Sequence, residues 1–198
     1  MDNLHRLEEI FGHFPGIGPR QAKRFVHYLL GKSPSFIKEF VRLVEEVKKS
    51  TSECDACHRF YIDNGTKNNI CSICSDPNRD RSTLMIVARD SDFETVEKSG
   101  AYTGLYFILG GTVPILDKEP EKRIRLGKLL EQVGSNKFKE IILSLNTTPD
   151  GENTADIVKN SIKTTAAKIT ILGRGLSTGA ELEYVDGETI RNALRNRQ

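Results

Sequence analysis

Four cysteines, the only ones among the 198 residues, are arranged as two C-x-x-C pairs inside one short polar segment. Cys54 pairs with Cys57 and Cys71 pairs with Cys74, with thirteen residues between the two pairs. Each C-x-x-C turn brings two sulfurs to one side of a metal, and two turns complete the four thiolates that a tetrahedral zinc ion prefers. Residues 52–80 contain few apolar side chains, so metal binding would supply their folding free energy. The spacing predicts one structural zinc ion per chain, with no position left for water or substrate.

Other interpretations of the cysteines are two disulfides, a dithiol redox pair or unrelated free thiols. A reducing cytosol disfavours disulfides. The first residues lack the apolar stretch and cleavage site of a signal peptide, and no apolar run approaches the length of a membrane helix. We therefore expect a cytoplasmic protein that does not interact with membranes. His58 is surplus to a four-cysteine site, so we expect it at the surface.

Apolar residues recur at helical spacing three times in the first fifty residues, which predicts three helices. Ser35 is placed to cap the third of them. The turn P-G-I-G-P, residues 15–19, joins the first two helices, and its glycines can adopt positive φ and expose backbone N–H groups. No acidic residue occurs between Ile10 and Lys38.

The second predicted helix begins with cations at the i, i+3 and i+4 positions of one face. Backbone N–H groups beside a cationic helix face suit contact with phosphates that does not depend on base sequence. The residues predicted to contact the DNA backbone are Gly16, Gly18, Arg20, Lys23 and Arg24. The alternative is that the turn only connects two helices tightly.

From residue 84 onward, short apolar runs alternate with helical patterns. Strands are predicted at residues 84–88, 105–109, 140–145 and 168–172, with helices at 92–98, 121–133 and 152–164. Such alternation is typical of a mostly parallel α/β sheet. The net charge of +2 does not identify a partner, while 37% hydrophobic and 28% charged residues are typical of a soluble globular protein.

The order of these features is distinctive: a helical hairpin, a four-cysteine segment, an α/β region containing L-Y-F-I-L-G-G, and a C-terminal stretch G-L-S-T-G-A-E-L-E-Y-V-D. It resembles the RecR family of bacterial recombination proteins. The residues that match the family's C-terminal pattern are Gly175, Gly179, Glu181, Leu182, Glu183, Tyr184 and Asp186. Ser177 and Ala180 depart from it, and the loop at residues 114–120 lacks the family's glycines. Because of this difference, the resemblance to the family does not assign a partner contact to that loop.

The resemblance implies a multi-part α/β protein with four regions. These are a helix-hairpin-helix domain at 1–52, a small zinc ribbon-like motif at 53–78, a Toprim-like domain of mostly parallel α/β type at 79–172, and a short C-terminal segment at 173–198. It also implies a DNA-binding mediator of recombinational repair. Such a protein would act as an oligomeric clamp, a tetramer or a dimer, with RecF- and RecO-type partners, and would help to load RecA on gapped or single-stranded DNA.

Catalytic Toprim domains hold Mg²⁺ with a glutamate after the first strand and a D-x-D motif after a later one. Arg89 stands at the position of the glutamate here, while Asn146 and Thr148 stand at those of the two aspartates. Losing three carboxylates removes the ligands that a hard cation requires, so we expect no catalytic residues. The acids that remain nearby are Asp90, Asp92, Asp150 and Glu152.

We expect these acids to serve helix N-termini, with Asp92 as an N-cap, although they could also regroup around a metal. Arg174 lies in a G-R-G loop that could contact phosphate or form a plain turn, and it is left unassigned. Two other functions stay open. One is a Mg²⁺-dependent Toprim enzyme, such as a nuclease or a primase-like protein, and the other is a zinc-ribbon adaptor for a protein partner.

Overall fold

A computed structural model describes residues 2–63, 68–117 and 119–197, and it divides the chain into two compact units. The first unit ends at Thr51 and the second begins at Ser52. No helix in the described ranges is both long enough and apolar enough to cross a bilayer.

The first unit contains three helices, as predicted: α1 (Asn3–Gly12), α2 (Pro19–Leu30) and α3 (Pro34–Ser50). The cap of α3 differs from the prediction, because Ser33 and not Ser35 accepts the backbone N–H of Phe36, at 3.3 Å. Pro34 occupies the first helical position, and its fixed φ starts the helix directly after Ser33. Within the described part of this unit, Ala22 and Val26 are the buried apolar residues.

The second unit opens with the cysteine segment. Two short strands, β1 (Thr51–Glu53) and β2 (Phe60–Ile62), pair with each other, and a single helical turn, α4 (Ser72–Ser75), follows. All four cysteines are buried.

The α/β region forms a four-stranded parallel sheet in the order β4-β3-β5-β6. Its strands are β3 (Asp80–Val87), β4 (Gly104–Ile108), β5 (Glu140–Ser144) and β6 (Lys168–Ile171), and its helices are α5 (Asp90–Ser99), α6 (Leu126–Ser135), α7 (Pro149–Ile162) and α8 (Gly187–Arg195). This sheet confirms the predicted α/β class.

The two faces of the sheet are covered by different parts of the chain. Leu84 and Ile86 of β3 pack with side chains of α6 and α7. Met85 and Val87 point to the opposite face, where they pack with Phe93 of α5 and with the four cysteines. Side chains alternate between the faces along a strand, so the same strand holds a helical layer on one side and the cysteine segment on the other.

Helix α6 begins five residues later than the predicted 121–133 segment. A short 3₁₀ turn at Pro120–Lys122 comes first. The Arg125 N–H then donates to the Leu109 carbonyl at 2.8 Å, and the Ile124 side chain is buried. These tertiary contacts hold the chain in a nonhelical path that apolar periodicity cannot reveal.

Candidate metal centre and nucleic-acid interface

The four cysteine sulfurs converge on one point. Their Sγ atoms all lie within 4.8 Å of one another, and those of Cys57 and Cys71 are 3.6 Å apart. Four sulfurs at about 2.3 Å from a tetrahedral zinc would be separated by roughly 3.8 Å, whereas a disulfide requires about 2.0 Å. The cysteines are free thiols that can together hold a metal ion.

Backbone hydrogen bonds shape the two C-x-x-C turns. The Cys54 carbonyl accepts the His58 N–H at 2.9 Å, and the Cys71 carbonyl accepts the Ser75 N–H at 3.0 Å. The Cys71 N–H also donates to the Cys54 sulfur at 3.3 Å, which joins the turns. His58 adopts φ of 61°, a left-handed conformation that is uncommon for a residue other than glycine. The local backbone is thus bent to turn the sulfurs inward.

The titration of the thiols fits a cation site. Hydrogen bonds shared with the other three thiols lower the pKa of Cys54, while the same sharing and burial raise the pKa of Cys57. The hydrogen bond with Cys54 acts to raise the pKa of Cys71, but those with Cys57 and Cys74 outweigh it and lower this pKa, while the hydrogen bond with Cys54 raises the pKa of Cys74. Two thiolates are therefore favoured, and further negative charges in this buried cluster are opposed. A bound divalent cation would remove that opposition, because metal binding requires deprotonated sulfurs.

The cysteine segment is attached by hydrogen bonds at two places, to strand β4 and to the start of helix α5. The Ile108 N–H of β4 donates to the Cys57 carbonyl at 2.9 Å, and the Phe60 N–H of β2 donates to Asp90 Oδ1 at 2.9 Å. The hydrogen bond from Ile108 to Cys57 lies at the outer edge of β4, because the other edge of this strand pairs with β3.

The surface position expected for His58 is wrong, because its side chain is only 9% exposed. Its ring packs edge-on against Phe107 at 5.2 Å, and Nδ1 lies 2.8 Å from Glu53 Oε1. The same carboxylate lies 3.3 Å from Arg125 Nε and 3.4 Å from Lys128 Nζ. Glu53 therefore connects the cysteine segment to the start of α6.

Burial acts to raise the pKa of Glu53, but the His58 hydrogen bond and the charges of Arg125 and Lys128 outweigh it and lower this pKa. Arg125 in turn lies against Gly110 of the L-G-G sequence. Gly110 has φ of 92°, and a Cβ there would be 2.6 Å from an Arg125 guanidinium nitrogen. The positive φ favours glycine, and a side chain at this position would have to displace the Arg125 guanidinium.

Sequence reasoning missed this connection between Glu53 and Arg125. The two residues are far apart along the chain, and neither belongs to a recognised motif. The signal that could have found part of it is the glycine pair after a predicted strand, since glycine there marks a close approach to the backbone.

The carboxyl end of the sheet is where a catalytic Toprim domain would hold Mg²⁺. In the register of the sheet, Val87 of β3 lies beside Ser144 of β5, and Leu143 of β5 lies beside Ile171 of β6. The residues that extend this register beyond the strands are Arg89, Asn146 and Arg174. Two cations and an amide thus follow three neighbouring strands.

The acids near this edge have other partners. The expectation that Asp92 is the N-cap of α5 is wrong, because Arg89 is the cap residue. Asp92 lies at the third helical position and accepts the Arg89 N–H at 3.0 Å. The longer helix moves the cap three residues toward the strand. Glu152 Oε1 lies 2.8 Å from an Arg174 guanidinium nitrogen. Within the described ranges, the four-cysteine cluster is the one group of cysteine, histidine or acidic side chains placed closely enough to hold a metal ion.

Arg174, which the sequence left unassigned, has two contacts. Its side chain pairs with Glu152 of α7, and its carbonyl accepts a hydrogen bond from the Asn196 side chain at 2.7 Å. The residue therefore links the end of the α/β region to the chain that follows α8.

The turn between α1 and α2 is a tight helical connection. Gly16 has φ of 75°, and the Ile17 N–H donates to the Phe14 carbonyl at 3.0 Å. Gly18 is the N-cap of α2 and offers no side chain to the first helical N–H groups. The Ile17 side chain is half-buried.

Arg20, Lys23 and Arg24 are all exposed on α2. Arg20 and Arg24 lie on the side of the helix away from the buried Ala22 and Val26, whereas Lys23 lies beside Ala22 and lines the same pocket as Glu8 and Glu9 of α1. Helix α2 contains no acidic residue. The five predicted DNA contacts are therefore contiguous on the turn and the first turns of one helix, with N–H groups and positive charges together.

Comparisons with known proteins agree with this architecture. A family model described as Toprim domain matches residues 82–173, and one described as RecR, C-terminal, matches residues 175–198. The chain is thus a Toprim-domain protein that carries a four-cysteine centre and an N-terminal helical unit.

Curated relatives extend the likeness to the whole chain. The Recombination protein RecR of Lactococcus lactis subsp. lactis is 35% identical over 194 residues, which is 98% of this chain and 96% of that protein. That of Legionella pneumophila subsp. pneumophila is 34% identical over 197 residues, covering 100% of this chain and 96% of the relative. This chain belongs to the RecR family of recombination proteins.

Proposed function

We propose that this protein is a DNA-binding mediator of recombinational repair that acts without catalysing a reaction. The observation that carries the proposal is the exposed, acid-free cationic face of α2 directly after the turn at residues 15–19. Gly16, Gly18, Arg20, Lys23 and Arg24 are the proposed contacts to the DNA backbone. The relatives' recombination role supports DNA as the ligand.

The proposed contact is electrostatic. Free N–H groups at the start of α2 and the positive end of its dipole attract a phosphate, while Arg20, Lys23 and Arg24 neutralise neighbouring ones. No residue of the turn is placed to distinguish one base from another, so affinity follows phosphate spacing and salt.

We propose that the ion held by Cys54, Cys57, Cys71 and Cys74 is one structural zinc. The donor set supports this assignment, because four thiolates are softer ligands than Mg²⁺ or Ca²⁺ accept. When bound, zinc would supply cross-links between the two C-x-x-C turns. The chain's own residues then hold those turns against β4 and α5 through Cys57 and Phe60.

The non-catalytic assignment is supported by the carboxyl end of the sheet. Arg89 and Asn146 supply a cation and an amide where Mg²⁺ would need carboxylates, and Glu152 is paired with Arg174. We propose no catalytic residue in this protein.

The remaining proposals follow from the family. We propose a homo-oligomeric clamp, a tetramer or a dimer, that works with RecF- and RecO-type partners in the cytoplasm to help load RecA on gapped or single-stranded DNA. Several weak hairpin contacts on one oligomer would multiply affinity through effective concentration. We also propose four functional regions, at residues 1–52, 53–78, 79–172 and 173–198.

A salt titration of binding to gapped DNA tests this function. The Arg20→Ala, Lys23→Ala, Arg24→Ala triple variant is compared with a control, Lys137→Ala, Lys159→Ala, Lys163→Ala, which loses the same charge from exposed positions of the second unit. Each lost phosphate contact reduces the slope of log K against log salt by about 0.9, so the first variant should lose up to roughly 3 units and the control none. Equal slopes in both would contradict the hairpin contact, and cut DNA in the presence of Mg²⁺ would contradict the non-catalytic assignment.

A further inference from the structure

A second stripe of α2, beside the cationic face, combines aromatic and polar side chains. Gln21, Arg24, Phe25, His27 and Tyr28 line an open groove of about 760 Å³. Arg24 belongs to both surfaces, because its position lies between Arg20 and Tyr28 around the helix. The groove is thus continuous with the proposed phosphate contacts.

Tyr28 is the most accessible aromatic ring in this groove. The residue is 55% exposed, against 40% for Phe25, and it lies on the far side of α2 from Val26, so it does not fill the small core of the unit. Its ring meets that of Phe36 edge-on at 6.4 Å. Lys32 Nζ lies 4.1 Å from the Tyr28 ring centroid. The ring is thereby held in place while more than half of the side chain faces solvent.

The charge around Tyr28 is uniformly positive. Arg24 precedes it by one helical turn, Lys32 Nζ lies over one face of the ring, and the sequence between Ile10 and Lys38 contains no acid. The next acid, Glu39 on α3, already pairs with Arg42 at 2.6 Å. Arg24 and Lys32, which flank the ring, therefore have no acidic neighbour within this stretch of sequence.

A fixed aromatic ring between unpaired cations is the arrangement that binds single-stranded nucleic acid. The ring stacks on a base, and the cations contact the phosphates on either side of it. In a duplex the bases are already stacked and paired, so only an unpaired base can reach the ring.

We propose that Tyr28, with Arg24 and Lys32, is a stacking site for an unpaired base of single-stranded DNA. The site rests on the proposed DNA-binding function and deepens it, because it gives the hairpin unit a preference for the single-stranded part of a gap. The positive charge favours a nucleic acid over a second copy of the chain as the occupant, since a copy that docked through the same face would bring the same cations to the interface.

The protein contains no tryptophan, so Tyr28→Trp introduces a single fluorescent reporter at the site. Stacking on a base should quench this fluorescence when oligothymidine is added to the full-length chain, and a duplex of the same length should not. Tyr184→Trp is the matched control, because Tyr184 is 80% exposed in the second unit and should show no quenching. Absence of quenching at Tyr28 while oligothymidine binds would overturn the proposal.

Affinities separate the stacking site from the phosphate contacts. Tyr28→Ala should weaken binding to oligothymidine about tenfold and leave duplex binding unchanged, whereas Tyr28→Phe should retain both. If duplex binding keeps its salt slope but Tyr28→Ala affects neither ligand, the stacking site is wrong and the hairpin function stands. If the variant instead lowers the molecular mass in sedimentation, the ring belongs to an interface between copies and the proposal fails.

Discussion

The two units of this protein use their apolar residues differently. In the helical unit, Ala22 and Val26 are the buried apolar residues of the described part, whereas Phe36 and Phe40 of α3 are each 41% exposed. In the α/β unit, Leu84, Ile86 and Phe107 are fully buried. Burial therefore stabilises the second unit, while the first keeps apolar and charged groups at its surface, where ligands and partners can reach them.

The strongest test of this contrast is removal of the proposed metal ion, because we expect the cysteine segment to depend on it and the helical unit to be independent of it. Cys57→Ser should release the ion and cost the segment most of the roughly 10–16 kcal/mol that such sites contribute. Metal analysis and limited proteolysis after residue 52 would measure the loss.

Ser72→Ala is the control for this change, since Ser72 is an exposed residue inside the second C-x-x-C turn. It should retain the ion and the protease resistance. Full metal content in Cys57→Ser would contradict the four-thiolate site.

Core truncation should affect the units very unequally. Phe107→Ala removes a fully buried ring and should lower the free energy of unfolding of the α/β unit by about 3–5 kcal/mol. Phe40→Ala removes a half-buried ring from α3 and should cost under about 1 kcal/mol. Urea denaturation of the whole chain measures both, and equal costs would break the comparison.

Acid should weaken the α/β unit before the helical unit. Burial acts to raise the pKa of Glu97, but its hydrogen bonds with Arg79 and Tyr106 outweigh burial and lower this pKa from 4.5. The stabilisation is therefore complete above pH 4.5 and is lost as pH falls through the lower, folded-state value.

Glu97→Gln should cost about 2 kcal/mol at neutral pH, and the difference from the unmodified protein should shrink as the pH falls below 4.5. Glu39→Gln is the counterpart in the helical unit. The Arg42 hydrogen bond lowers the pKa of Glu39, but the group is fully exposed, so this change should have no measurable effect on stability. A larger effect from Glu39→Gln than from Glu97→Gln would reverse the comparison.

The smallest expected effect concerns Gly110. Gly110→Ala forces a strained backbone and displaces the Arg125 guanidinium, and it should cost about 1 kcal/mol in thermal or urea unfolding. Gly134→Ala, in a helix with open space around the new methyl group, should instead stabilise by up to about 1 kcal/mol. A stabilising Gly110→Ala would show that Arg125 has no fixed position there.

Short-range patterns predicted most of the α/β unit. The apolar run that begins at Leu84 became the buried part of β3, and the spacing of the C-x-x-C pairs predicted a cluster of four sulfurs. Both signals act within one element or one turn, where the side chains that determine the structure are neighbours in the sequence.

Long-range contacts account for what the sequence did not predict. His58 is buried because Glu53 and Phe107 surround it, and α6 starts late because Arg125 binds the end of β4. In each case the partner lies on another element, so local propensity carries no signal of it. The exposed cations of α2 were predicted as residues, but the position of Tyr28 among them became visible only in the structure.

The hydrogen bond from Ile108 to Cys57 has a consequence for solubility. Strand β4 is an outer strand of the sheet, and an unpaired strand edge can recruit other chains into aggregates. The cysteine segment covers this edge at Ile108, while Arg79 donates to the Gly104 carbonyl at its other end. Loss of the proposed metal ion should therefore expose this strand edge as well as unfold the cysteine segment, so we expect chelation to cause self-association before the helices unfold.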